Sequence, residues 1–148
     1  MTGMLQPDVH FTAHPVREDD ELFPNGIFEF NVTRILEHIA NNRAEVDLVD
    51  VAVSDFYPEH SVLDESHVPD VDISKPVVLA EIAPGSYNLI DGHHRMEKAR
   101  RLGVEKIPAY KLHVHQHIAF LTSKKAYLSY VEYWNGKRDA EQDDAHIF

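Results

Sequence analysis

Apolar and polar positions alternate along the chain with two different periods. Val32, Ile35, Leu36 and Ile39 recur at helical spacing, so an amphipathic helix is expected there. Asn31 precedes it as an N-cap, and Asn41-Asn42 end it. A short strand is expected at 26–30 before that helix. Asp47–Phe56, with Leu48, Val49, Val51 and Val53, reads as a strand closed by Pro58. The polar stretch 57–74 reads as a loop with at most one helical turn. Two apolar runs, Pro76–Ile82 and Tyr87–Ile90, flank Pro84-Gly85 and predict a hairpin. Met96, Ala99 and Leu102 then share one helical face, and Gly103 follows as a C′ glycine. Ile107–Val114 predicts another strand. Thr122 or Ser123 caps a last helix, whose Tyr127, Tyr130, Val131 and Trp134 face the core. Tyr133 falls near its rim.

Interleaved helices and strands predict an α+β class, a small mixed sheet with helices packed on it and an N-terminal helical extension. The expected organisation is an arm and amphipathic helix over 1–46, a domain over 47–135, and a flexible polar tail over 136–148. The 148 residues suffice for one domain of ordinary composition, 43% hydrophobic and 26% charged. No apolar run is long enough to span a bilayer. The first 21 residues are acidic and lack the apolar core of a secretion signal, so a cytoplasmic location is expected. Cysteine is absent, which excludes disulfides, thiolate metal sites and a cysteine nucleophile.

Charge is unevenly distributed. The net charge is −11, and residues 1–72 hold 16 acids against three bases. Residues 92–111 hold six bases (Arg95, Lys98, Arg100, Arg101, Lys106, Lys111) against Glu97 and Glu105. An acidic chain is a poor non-specific partner for nucleic acid, because phosphate neutralisation supplies most of that affinity. A local basic patch still suits one compact anion.

The chemistry concentrates at Asp91-Gly92-His93-His94-Arg95, where a strand passes into a helix. The first amides of a helix lack internal partners and sit at the positive end of its dipole, so anions bind there. Gly92 has no side chain to hold a phosphate off, Arg95 suits bidentate contact with phosphate oxygens, and His93 and His94 add donors. Asp91 suits a divalent cation, a helix cap or a base. A plain capped helix uses the same residues. The Lys-Ser/Thr ending of a Walker A loop and the G-x-G-x-x-G pattern are both absent. Separately, His113, His115 and His117 alternate along the expected strand and would share one face, a geometry from which two imidazoles can hold a metal.

The segments Lys75–Ile82, Tyr87–Gly103 and Ile107–Tyr110 together resemble the ParB/sulfiredoxin superfamily over about residues 50–113. The resemblance implies a small nucleotide-binding fold that takes a nucleoside di- or triphosphate with Mg²⁺. Gly92 matches the motif glycine, Arg95 the arginine that contacts phosphates, and His94 the sulfiredoxin histidine or a basic residue of the ParB motif. His93 stands where sulfiredoxins keep their cysteine, so sulfinic acid reduction is excluded. The DGHHR string is most similar to that of the ParB-like free serine kinases. That similarity gives Asp91 a metal-binding and catalytic role and makes Glu59 the candidate base, with Glu65 competing. His93 is a further catalytic candidate. The implied activity is phosphoryl transfer or nucleotide hydrolysis. The alternatives are a catalytically silent nucleotide- or anion-binding module and a ParB-like DNA-binding or nuclease protein. DNA partition members carry a helix-turn-helix after this fold, and the single helix expected here after Tyr110 argues against that role.

Overall fold

The computed structural model describes residues 3–24, 28–56 and 63–146. Its centre is a four-stranded mixed sheet of β3 (Asp47–Ala52), β4 (Val77–Ala83), β5 (Ser86–Asp91) and β6 (Lys106–Leu112), in the order β3-β6-β4-β5. β4 and β5 form an antiparallel hairpin, and β3 runs antiparallel to β6. β4 and β6 run parallel, and the long connection such a pair needs is supplied by β5 and the helix α2 (His93–Arg101). The class is α+β, as the alternating periods predict. Among the described residues the other helices are α1 (Val32–Asn41), the single turn α3 (Val114–His117) and the long α4 (Lys124–His146). A two-stranded ribbon pairs β1 (Leu22–Pro24) with β2 (Glu29–Asn31).

Period-two alternation divides the sheet between two cores. Val78, Ala80, Ile90 and Leu112 face α1 and α4, against Phe28, Phe30, Ile35, Tyr130 and Trp134. Val77, Leu79, Leu89, Ile107 and Ala109 face Met96 and Ala99 of α2. The helix ends follow capping rules. The Asn31 side chain accepts from the Arg34 amide at 3.1 Å. At the end of α2, Val104 N–H donates to the Ala99 carbonyl and Gly103 N–H to that of Arg100, a Schellman motif closed by Gly103 at φ +71°.

Several expectations need correction. Leu36 is 38% exposed and Leu102 63% exposed, so each apolar stripe is narrower than its periodicity suggests. β3 ends at Ala52, and Val53–Phe56 coil into a 3₁₀ turn that buries Val53 against α2. α4 continues to His146 instead of giving way to a loose tail at Gly136. The N-terminal arm is irregular yet attached. The Leu5 amide donates to Asn135, the Asp8 amide to the Tyr127 hydroxyl, and the Trp134 indole to the Gly3 carbonyl, while Phe11 stacks on Tyr127 at 4.1 Å. These polar groups on α4 thereby satisfy the arm's backbone. No described helix is long and apolar enough to cross a membrane.

The three alternating histidines do not share a strand face. β6 stops at Leu112, and 114–117 turn as a helix with His113 as N-cap. His117 is buried and donates from Nε2 to the Glu81 carbonyl at 2.8 Å. His113 and His115 remain outside with their rings 6.3 Å apart. The helical turn replaces the period of two on which a shared metal face depends. Among the described residues, no group of three or more His, Asp or Glu side chains is placed to hold a metal ion.

Candidate functional site

The mouth of α2 opens into a cleft of about 750 Å³. Gly92 is the N-cap residue, at φ +98°, ψ +26°, and no side chain caps the helix. The left-handed conformation favours glycine, and packing demands it. A Cβ here would lie 2.5 Å from Cγ1 of Val77 on β4. β4, β5 and α2 therefore meet too closely for any side chain at the junction.

Asp91, Gly92, His93, His94 and Arg95 all line the cleft, so the structure brings five of the six candidates together. Glu59 lies outside the described residues; Glu65 is described, and its carboxylate accepts from Arg101 at 2.8 Å. Arg95 points inward along its own helix. Its Nη1 donates to the Pro76 carbonyl at 2.9 Å and its Nη2 to Asp91 Oδ2 at 3.0 Å. A guanidinium has five N–H donors, so these two bonds leave capacity for a further oxygen. Asp91 does not cap the helix; its carboxylate is Arg95's partner. His93 stacks on Phe23 of β1 at 5.2 Å. His94 accepts from the Asp64 amide at Nε2, which puts any ring proton on Nδ1, and its ring meets His67 edge-on.

The other walls come from residues the sequence reading did not select. Lys75 enters from the residue pair before β4, Asp70 and Asp72 from the preceding loop, and Glu21 and Phe23 from the ribbon. Their contribution is set by long-range packing, and no local spacing marks them. Two Asp-x-Ser turns shape the loop. Asp64 accepts from the hydroxyl and amide of Ser66, and Asp72 does the same with Ser74. In each case the serine hydroxyl is the main cause holding the carboxyl below its ordinary value. α2 tethers this loop at three points. Lys98 Nζ donates to the carbonyls of Pro69 and Val71, Arg101 pairs with Glu65, and His94 receives the Asp64 amide. Arg100 and Arg101 also converge on buried Glu97, and the bond from Arg100, ahead of that from Arg101, holds its carboxyl at about 2.

Glu21, Asp70, Asp72 and Asp91 set four carboxylates against Lys75 and Arg95 in the cleft. A bare polyanion would meet repulsion from this lining, whereas one that brings a cation would not. Asp91 leaves Oδ1 for such a cation. A single carboxylate suits Mg²⁺ that is held mainly by water and phosphate oxygens, not a cation caged by protein alone. No protein-family model matches the sequence, and no curated protein matches it.

Proposed function

We propose that the α2 cleft binds a nucleoside di- or triphosphate together with Mg²⁺, in the manner the resemblance to the ParB/sulfiredoxin superfamily implies. The observation that carries this reading is the uncapped helix mouth, opened by a glycine that no other residue can replace, beside Lys75 and Arg95. The phosphates lie over the first turn of α2. Lys75 and the remaining donors of Arg95 would hold their oxygens, and Asp91 would hold the Mg²⁺, which would neutralise phosphate charge. If the site transfers a phosphoryl group, catalysis comes from positioning and charge neutralisation, with Glu59 as the candidate base and His93 at the cleft wall.

The pairing of Asp91 with Arg95 favours a second reading, a silent binding module, because it engages the carboxylate that a metal-dependent reaction needs. A nucleic-acid role is disfavoured. Arg95, Lys98 and Arg101 are held by Asp91, by loop carbonyls and by Glu97 with Glu65, and Arg100 is held by Glu97.

Calorimetric titration with ATP, ADP and CTP, each with and without Mg²⁺, tests the proposal. At least one Mg-nucleotide should bind. Exposed Lys75 can be changed without disturbing the core, and Lys75→Ala should weaken binding about tenfold, the loss of one charge-assisted contact. Gly92→Ala should abolish binding and cost stability by about 1–3 kcal/mol from backbone strain. Absence of binding by all three nucleotides to the wild-type protein would overturn the reading. Phosphate release that persists in Asp91→Asn would remove the metal role, and binding without turnover would select the silent module.

A further inference from the structure

The sheet face that carries α2 is only half covered by it. Beyond Leu79 and Ala109 the same face turns polar, in a row across the strands. Asp47 of β3 pairs in register with Lys111 of β6, and Glu81 of β4 with Tyr87 of β5. His113 stands at the end of β6 beside them. A second cleft, of about 530 Å³, adjoins this row; Tyr87 and Lys111 of the row line it, with Ser86, Asp50, Asp55 and Lys106 among others. It shares no residue with the α2 cleft.

Three of these groups form a hydrogen-bonded chain. Asp47 Oδ2 lies 2.8 Å from His113 Nε2, and His113 Nδ1 lies 3.0 Å from the Tyr87 hydroxyl. The carboxylate can only accept, so Nε2 carries the proton. In the neutral ring Nδ1 is then bare and accepts from Tyr87. Buried Glu81 approaches Nδ1 at 3.8 Å, while its other oxygen accepts from the Gly85 amide. Burial, and then the charges of Glu81 and Asp47, raise the Tyr87 phenol above its ordinary value. The tyrosine therefore rests as a protonated donor, and Nδ1 is set to receive its proton only as the oxygen forms a bond. The Lys111 ammonium sits 4.5 Å from the Tyr87 ring centroid.

We propose that Tyr87 and His113 form a nucleophile–base pair, positioned by Asp47, that accepts an acyl group from an activated acyl donor bound in the second cleft. In this step the Tyr87 oxygen bonds to the acyl carbon as the phenol proton passes to His113 Nδ1. The bond to the leaving group then breaks, and His113 returns that proton to it. The products are a tyrosyl ester and the protonated leaving group, with no oxidant or reductant involved. The division of labour is that of a general base oriented by a carboxylate. Lys111, whose ammonium lies over the Tyr87 ring, offers positive charge to the oxyanion that forms on the acyl oxygen. Asp47 touches no reacting atom and is a positioning residue.

N-acetylimidazole, applied to the whole protein and followed by peptide mapping, reports each tyrosine separately. Tyr87 should be acetylated at least about a hundredfold faster than Tyr110 or Tyr133, the low end of what a positioned base contributes. His113→Gln should remove that advantage, with the circular dichroism unchanged. Asp47 is 60% exposed at its side chain, so Asp47→Asn is tolerated by the fold. That variant should lower the rate and shift its pH profile, which a merely structural contact would not do. Nitrogen NMR of the wild-type protein should place the His113 proton on Nε2. Equal acetylation of all three tyrosines, a rate indifferent to both variants, or the opposite tautomer would each overturn the proposal.

Discussion

The two faces of the central sheet carry different chemistry. On the α1–α4 face, Phe28, Phe30, Tyr127, Tyr130 and Trp134 form a dense aromatic layer, with Phe28 edge-on to Phe30 and to Tyr130. The Tyr130 hydroxyl and His117 Nε2 both donate to the Glu81 carbonyl there, while His117 Nδ1 is buried without a partner among the described residues. On the α2 face the core is smaller and aliphatic, and polar clefts open at both ends of it. One layer supplies stability. The other gives up buried area and leaves helix amides, a lysine and a tyrosine hydroxyl open to ligands. Variants of the two faces should therefore separate folding from binding.

The largest effect is expected on the aromatic face. Trp134 is fully buried, and its indole also anchors the arm through Gly3. Trp134→Ala should cost about 3–5 kcal/mol by lost burial and cavity formation. Urea unfolding at neutral pH measures this. Where the variant remains folded, nucleotide affinity should be unchanged. A fall in affinity with the folded fraction held constant would show that the two faces are coupled.

Next comes acid sensitivity from the same face. His117 is completely buried and already uses Nε2, so a second proton must enter the core at Nδ1. Desolvation depresses its pKa from 6.5 to about 4. The unfolded chain takes up that proton first. The contribution is thus complete above pH 6.5, is lost as pH falls toward 4, and levels off below that. At about 1.4 kcal/mol per pH unit the loss reaches roughly 3 kcal/mol. Unfolding midpoints between pH 7 and 4 should show this slope, and His117→Gln should flatten it. An unchanged slope in the variant would assign the acid sensitivity elsewhere.

Local signals in the sequence were reliable where the physics is local. Asn31 as a cap, Gly103 as a helix stop, the Pro84-Gly85 hairpin and the buried Tyr130–Trp134 stripe all depend on neighbours within a few residues. Gly92 at a strand-to-helix junction was legible for the same reason. What escaped is set by contacts across the fold. The Val77 side chain that excludes a Cβ at Gly92, Lys75 and Phe23 in the cleft, and the inward turn of Arg95 onto Asp91 and Pro76 have no signature in spacing. The alternation of His113, His115 and His117 misled because period two continues in sequence after the strand has ended. Only the Glu81 carbonyl, 36 residues away, explains why His117 turns into the core.

The smallest expected effect tests how α2 supports its cleft. Lys98 does not line the cleft, yet its ammonium bridges the Pro69 and Val71 carbonyls at 2.8 Å each, in the loop that brings Asp70 and Asp72 to the wall. Lys98→Met keeps the aliphatic stem and removes both bonds. Part of that loss is recovered by water at the exposed Pro69 end, so the cost to stability should be about 1 kcal/mol. Hydrogen exchange should then quicken over residues 63–75 and stay unchanged in β4 and α4. Nucleotide affinity should fall severalfold although no ligand contact has been deleted. Unaltered exchange in the loop would mean that the Asp64 and Asp72 turns hold it unaided, and that the basic residues of α2 serve the helix instead of the cleft.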